Sequence, residues 1–286
     1  KNLCTKLGNP QDKIKAISII GTNGKYSTIQ ALFAILKEAK FKCNIYTSPH
    51  IQKINERFVF NNKELDDENL ANLFEEIEEA NENQPITFFE ILTAAFFKKA
   101  SEYRDNINLV ETGLFHRFDA TNILKENLAS IVTSIGLDHL DWLPENEQTV
   151  EKIIFEKTSS LLKSIIIVTK QSSKEVTECI KKTISDNKSQ KLFFNEDYSF
   201  SLKENGFFYY EDKFGGLKLP LPNIHGGFQL ENVSSAIATA RVIENLSIKE
   251  NHIQTGVTKI HSIARLQELT SGKLKELSKN NQLFVD

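Results

Sequence analysis

An α/β fold with a mostly parallel sheet flanked by helices, carrying a phosphate-binding loop and a small antiparallel β addition, is what this sequence predicts. Three observations carry the prediction. Between residues 16 and 194, short apolar runs bounded by turn residues alternate with stretches of helical periodicity, the pattern of strands buried on both faces between crossover helices. The first run, Ala16–Ile20, passes at once into Gly21-Thr22-Asn23-Gly24-Lys25-Tyr26-Ser27-Thr28, and Ile29, Leu32, Phe33, Leu36 and Ala39 then recur at helical spacing. Near Asp197 the character changes to three short alternating runs, 198–202, 206–211 and 214–219, separated by turns at Glu204-Asn205-Gly206 and Gly215-Gly216, which read as a meander.

Taken in order, the helix opening at Ser27 leads to a second strand, 42–46, closing a parallel strand–helix–strand unit. A hairpin is expected over 58–65. Asp66 and Asp67 cap a helix whose apolar face is Leu70, Leu73, Phe74 and Ile77. Thr87-Phe88-Phe89-Glu90 has the form of a capping box opening a helix through Leu92, Ala95, Phe96 and Ala100. Strands follow at 107–110, ending on Glu111, and at 129–135, ending on Gly136-Leu137-Asp138-His139. A helix over 149–162, a strand over 164–168, a helix over 174–185 and a strand over 191–194 complete the alternation. Pro220, Pro222, Gly226 and Gly227 break the chain before a helix over 228–245. Residues 1–262 therefore read as one domain with the β-rich addition at about 197–220 embedded in it.

Composition narrows the class. Of 286 residues, 40% are hydrophobic and 26% charged, as in ordinary globular domains. The net charge of -3, with no Lys/Arg run, argues against nucleic acid as a partner. The absence of an apolar run of about 18 residues argues against a membrane span. Cys4, Cys43 and Cys179 are too few and scattered for a disulfide framework, so a reduced, cytoplasmic setting is expected. There is no methionine, and the sequence stops within the apolar Leu283-Phe284-Val285, so residues are expected beyond one or both ends.

Strand, glycine turn, lysine, serine and helix together make a phosphate cradle: turn amides and the helix start face the anion, Lys25 adds charge, and Ser27 can hold Mg²⁺. The first glycine lies two residues closer to the Gly-Lys pair than in the standard Walker A spacing. In parallel sheets ligands sit at the carboxyl ends of strands, and Glu111 and His139 fall there as well. Alone, Glu111 reads as a surface carboxylate and His139 as a capping histidine. Converging with Ser27 on one end of the sheet, they read as an oxygen-rich Mg²⁺ site with one imidazole, completed by phosphates and water.

The motifs Gly21-Thr22-Asn23-Gly24-Lys25, Tyr46-Thr47-Ser48-Pro49-His50, Asn55-Glu56-Arg57, Thr87-Phe88-Phe89-Glu90, Asp119-Ala120-Thr121-Asn122, Thr133-Ser134-Ile135-Gly136-Leu137-Asp138-His139 and Glu156-Lys157 occur in the order found in folylpolyglutamate synthase/dihydrofolate synthase, a family of the Mur ligase superfamily. The resemblance runs from Leu7-Gly8-Asn9-Pro10 to the last residue. It implies a Mur ligase central-domain fold and an ATP-dependent amide ligase: an acyl phosphate forms on a folate or dihydropteroate carboxylate, and the amino group of L-glutamate attacks it. It implies that Thr22, Asn23, Gly24, Lys25, Ser27 and Thr28 hold ATP, that Glu111 bridges a pair of Mg²⁺ ions, and that His139 is a ligand of the second. Lys157 matches the lysine that this family carboxylates. Gln229 and Asn232 match an element near adenine and ribose, and Arg265 an arginine that approaches the phosphates. Thr47, Ser48, Pro49, His50, Asn55, Glu56 and Arg57, with Phe88, Phe89 and Asp119, match the pterin side. Asp286 matches the start of a motif opening a second, glutamate-binding domain, which makes 263–286 a linker and leaves this chain, as a monomer, incomplete for catalysis.

The sequence departs from the family at Tyr26, where the family has Gly, at Phe115-His116, where it has Gly-Gly, and at Thr158-Ser159, where it has Ala-Gly. Three other readings stay open beside the folate ligase. A peptidoglycan-precursor Mur ligase is opposed by the 47–57 and 87–90 motifs. A regulatory GTPase or kinase would want an Asn-Lys-x-Asp motif, and the sequence has none. A degenerate, non-catalytic nucleotide-binding homologue is motivated by Tyr26 and Phe115-His116.

Overall fold

The computed structural model describes every residue except Glu204, Asn205 and Asn280. In chain order its elements are α1 (Asn2–Lys6), β1 (Ala16–Ile20), α2 (Lys25–Glu38), β2 (Cys43–Tyr46), β3 (Phe58–Phe60), β4 (Lys63–Glu64), α3 (Asp67–Asn81), α4 (Phe88–Ala100), β5 (Ile107–Glu111) and β6 (Asn127–Val132). There follow α5 (Val150–Thr158), β7 (Ile165–Val168), α6 (Lys174–Thr183), β8 (Lys191–Phe193), β9 (Tyr198–Lys203), β10 (Phe207–Asp212), β11 (Gly215–Pro220), α7 (Gly227–Val242), α8 (Glu250–Val257), β12 (Gln267–Glu268), α9 (Lys273–Leu277) and β13 (Phe284–Val285).

The main sheet runs β4-β3-β2-β5-β1-β6-β7-β8. From β2 to β8 every pairing is parallel, and the β3–β4 hairpin adds an antiparallel edge. β1 lies between β5 and β6, so the chain leaves it in opposite directions along the sheet, the place where such sheets open a crevice beyond the strand ends. Alternation along β1 divides the interior. Ile17 and Ile19 face α2, α7, α8 and the small sheet, whereas Ala16 joins the α3 and α4 side and Ile20 the α5 and α6 side. The small sheet, β11-β10-β9, packs Phe208, Tyr210, Leu217 and Leu219 into the first of these cores.

Both predicted caps form. Asp66 accepts the Asn69 amide, and Thr87 and Glu90 bond each other's backbone amides across the first turn of α4. Boundaries moved where side chains offered the backbone other partners. The strand expected over 129–135 begins at Asn127 and ends at Val132, because the Ser134 carbonyl turns to accept the Thr22 and Asn23 amides. The helix expected over 149–162 ends at Thr158; Asn187 takes the carbonyls of Leu161 and Leu162 instead. The sequence pattern does not predict the short helices α1, α8 and α9, nor the β12–β13 pair within 263–286. Of the turn expected at 204–206, Glu204 and Asn205 lie outside the described residues, and Gly206 has a φ of 77°. Among the described residues no helix is long and apolar enough to cross a membrane.

Candidate functional site

A cavity of about 550 Å³ opens at the carboxyl end of β1. Its wall brings together Thr22, Asn23, Gly24, Lys25 and Ser27 from the loop and α2, Glu111 from β5, Asn232 from α7, and Arg265 and Asp286 from the last segment. A larger depression, about 890 Å³, lies on the outer face of the small sheet between Ser201, Phe207, Tyr209 and Lys218, and none of the sequence-predicted site residues lines it.

The loop owes its shape to its glycines. Gly21, at φ 150°, presses on Thr133, and a Cβ there would lie 2.0 Å from Thr133 Oγ1. Gly24 caps α2 at φ 89°, and a Cβ would lie 2.3 Å from Asn232 Oδ1. Gly24→Ala therefore displaces Asn232 as well as straining the turn. We expect it to weaken nucleotide binding by about tenfold or more, read by titration calorimetry, with a loss of about 1–3 kcal/mol in stability. The Thr22 and Asn23 amides are already donated to Ser134 O, at 2.9 and 3.1 Å, so the anion-facing donors are the first-turn amides of α2, which helix geometry leaves unpaired.

Lys25 Nζ donates to the carbonyls of Gly21 and Thr22, each at 3.1 Å, and lies 3.9 Å from Glu111 Oε1. Glu111 is 3% exposed, and its other oxygen accepts the Ser48 amide at 3.1 Å. Burial pushes its carboxyl up to about 7, with Lys25 pulling the other way. A buried carboxylate and the Ser27 hydroxyl on one cavity wall suit a hard cation that draws its remaining oxygens from phosphate and water. Among the described residues no three His, Cys, Asp or Glu side chains cluster into a protein-only cage. His139 is a neighbour but does not line the cavity. Its Nε2 lies 3.1 Å from Asp138 Oδ2, its ring stands edge-on to Phe115 at 6.2 Å, and burial lowers its pKa while Asp138 pulls the other way.

Lys157 comes from α5 to the back of the loop. It is 1% exposed, and its Nζ donates to Gly21 O at 3.1 Å and Leu114 O at 2.5 Å beneath the Phe115 ring. Burial, with Lys25 nearby, brings its pKa down to about 8. Two lysines thus share the Gly21 carbonyl. Thr28 is fully buried, its amide bonded to Gly24 O, and it does not line the cavity. Gln229 is also fully buried and accepts the Asn232 side-chain amide at 3.0 Å, fixing the residue that touches Gly24.

On the other flank, residues 47–57 form a loop wired to itself. Glu56 accepts the amides of Ile51, Gln52 and Lys53, Thr47 donates to Glu56 O, and Arg57 bonds His50 while lying 5.9 Å from the Phe88 ring. Asn55 is buried and donates to Leu65 O and Asp67, which ties the hairpin to α3. Phe88 is 60% exposed, whereas Phe89 packs on Tyr46 and Gly113. Asp119 accepts the Gly113 and Thr121 amides and the Thr121 hydroxyl, and burial raises its pKa. It also lines a second cavity, about 180 Å³, with Cys4, Thr93, Phe118 and Ile123.

Sequence reasoning missed Ser134, Phe228 and Glu231 on the cavity wall; Glu231 sits between Gln229 and Asn232 on α7, so the helix face carried a signal for it. His116 turns inward: its Nδ1 lies 2.8 Å from Ser160 Oγ, and burial brings its pKa down to about 4, so it is a neutral packing residue. Its neighbour Arg117 grips Glu156 through two bonds of 2.8 and 2.9 Å, fastening the loop to α5.

No family model matches the chain. A dihydrofolate synthase/folylpolyglutamate synthase of Bacillus subtilis is 37% identical over 189 residues, which is 63% of this chain and 43% of the relative. A structure of Escherichia coli FolC in complex with DHPP and ADP superposes with a TM-score of 0.84 at 27% identity, covering all of this chain and 64% of that one. A bifunctional folylpolyglutamate synthase/dihydrofolate synthase of Yersinia pestis complexed with AMPPNP and a Mn ion gives a TM-score of 0.85 at 25% identity, over 99% of this chain and 64% of that one. The chain spans between 43% and 65% of the length of the first curated relatives it matches.

Proposed function

The chain belongs to the dihydrofolate synthase/folylpolyglutamate synthase family, and from that premise we propose that it is the ATP-binding part of an ATP-dependent ligase joining L-glutamate to a folate or dihydropteroate carboxylate. The observation that carries this reading is the single cavity wall on which the phosphate loop, buried Glu111, Arg265 and Asp286 meet. In this reading the α2 amides and Lys25 hold the phosphate chain, and Arg265 approaches it from the far side. Asn232, held by Gln229, supports the nucleoside end. Ser27 and Glu111 would hold a divalent cation, with His139 as the proposed ligand of a second, and such cations would supply the positive charge that lets anions meet.

Residues 47–57 and 87–90 form the acid-substrate side, with Asp119 beside them on the smaller cavity that Glu90, Thr93 and Phe118 also line. We propose Lys157 as a carbamate. A pKa near 8 leaves part of the amine neutral; its nitrogen would add to CO₂ with one N–H proton lost to water, and the remaining N–H would keep one of the two carbonyls it now bonds. Residues 1–262 are the nucleotide domain in this reading, 263–286 the link to a glutamate-binding domain, and the working unit is a cytoplasmic monomer.

The test is ADP release by the full-length protein supplied with ATP, Mg²⁺ and L-glutamate, with dihydropteroate or tetrahydrofolate as the acid. Release with either acid, dependent on glutamate, is the expected result. Release with dihydropteroate alone confines the activity to the synthase step. No release with either supports a nucleotide-binding homologue without catalysis, the reading that Tyr26 on the cavity wall favours.

A further inference from the structure

Arg265 reaches the mouth of the nucleotide cavity on backbone that its neighbours would not choose. Ala264 and Leu266, on either side, have φ of 46° and 50°, in the left-handed region. A non-glycine residue held there costs on the order of 1 kcal/mol or more and persists only where its surroundings hold it. Here the Ala264 amide donates to Gln267 Oε1 at 3.1 Å and the Leu266 amide to Asp286 Oδ1 at 3.0 Å. The turn is therefore built to point one side chain. Glu111, Glu231 and Asp286 line the same cavity, yet among the described residues none of them forms an ion pair with Arg265.

The guanidinium instead donates to the Ala264 carbonyl at 2.6 Å and lies against the Tyr26 ring, whose centroid is 5.6 Å from Arg265 Cζ. Tyr26 stands in the first turn of α2, on the cavity wall, between Lys25 and Ser27. Its ring therefore faces the segment that carries Arg265. We propose that Tyr26 is a positioning residue for Arg265: its ring face holds the guanidinium at the cavity mouth, aligned for the phosphate chain of a nucleoside triphosphate. The inference rests on the nucleotide reading of the cavity. A cation over an aromatic face is held weakly enough for phosphate to draw it away, and its charge stays unspent until then.

The test is a double-substitution cycle in the full-length protein. Tyr26→Leu weakens ATP binding about two- to fivefold in calorimetry, the scale of one cation–π contact. Tyr26→Phe keeps the ring and stays at the wild-type value. Combining Tyr26→Leu with Arg265→Ala weakens binding no further than Arg265→Ala alone, since the ring acts only through the guanidinium. Without nucleotide, both Tyr26→Leu and Arg265→Ala speed hydrogen exchange across residues 263–266 by about tenfold. Additive losses in the cycle, or exchange unchanged in both variants, overturn the proposal. If wild-type protein does not bind ATP, the nucleotide reading fails, and the exchange measurement alone decides whether Tyr26 holds the segment. Arg265→Ala leaves α2 untouched, so it gives that answer even if Tyr26→Leu does not fold.

Discussion

Lys25→Ala lowers ATP turnover by the full-length protein by about 10²–10³-fold, the effect of removing one preorganised charge from a site that stabilises developing anions. The expectation comes from where the ammonium sits. Nζ is held by the carbonyls of Gly21 and Thr22 on the concave side of the phosphate loop, and the nearest carboxylate oxygen, of Glu111, is 3.9 Å away. It is aimed before any phosphate arrives. Alanine also leaves Glu111 without its nearest cation, so the carboxyl is pushed further toward its neutral form in the ligand-free protein. The fold should survive, because helix α2 keeps its glycine cap and its buried face of Ile29, Leu32, Ile35 and Leu36. Thermal melting within a few degrees of wild type, alongside lost ADP release, is the expected pair of results. Near-normal turnover would sink the assignment of this loop to phosphate.

Why the loop and the main sheet could be read from sequence, and other parts could not, has a physical basis. β1 is apolar at nearly every position because both of its faces are covered, and its end is marked by glycines whose conformations no other residue holds easily. The capping box at Thr87 and Glu90 is local chemistry, complete within four residues. By contrast, α8 shows only Ile253 and Val257 as an apolar pair, and its burial depends on α2, which is distant in sequence. The end of β6 was misplaced for a related reason: apolar Ile135 continues the pattern, but the carbonyl of Ser134 is claimed by a loop more than 100 residues earlier.

Residue type indicated the candidate site better than it indicated each residue's task. Glu111 lies where the strand end put it, and Lys157, which alone would read as a helix-surface lysine, is 1% exposed against the phosphate loop. Glu56 and Asp119 are acids in the right neighbourhood, yet both accept amides of their own loops. Only the folded backbone shows which oxygens are left for a ligand. Phe115 and His116, where the sequence departs from the family's glycines, are accounted for by packing: one covers Lys157 and the other bonds Ser160.

Glu111→Gln should make the ligand-free protein more stable at pH 8 while removing activity. The folded state holds this carboxyl at about 7, above its ordinary value of 4.5, because burial disfavours the charge. A group raised in this way contributes stability in full below the ordinary value and loses it as pH rises through the folded one. Above pH 7 the protein therefore carries a buried carboxylate at a cost on the order of 2–3 kcal/mol, which glutamine, neutral and nearly the same shape, avoids. The two proteins should melt together near pH 4.5, and the variant should melt several degrees higher at pH 8. Adding Mg²⁺ and ATP reverses the order. Wild type gains stability by binding the metal–nucleotide complex, whereas glutamine offers the cation no charge and gains less. A variant less stable than wild type at pH 8 without ligand would show that Lys25 outweighs burial at this site, and one that Mg²⁺ and ATP stabilise fully would remove Glu111 from the metal's surroundings. The strain of keeping that charge dry is what a cation would relieve, so the same residue weakens the empty fold and strengthens the filled one.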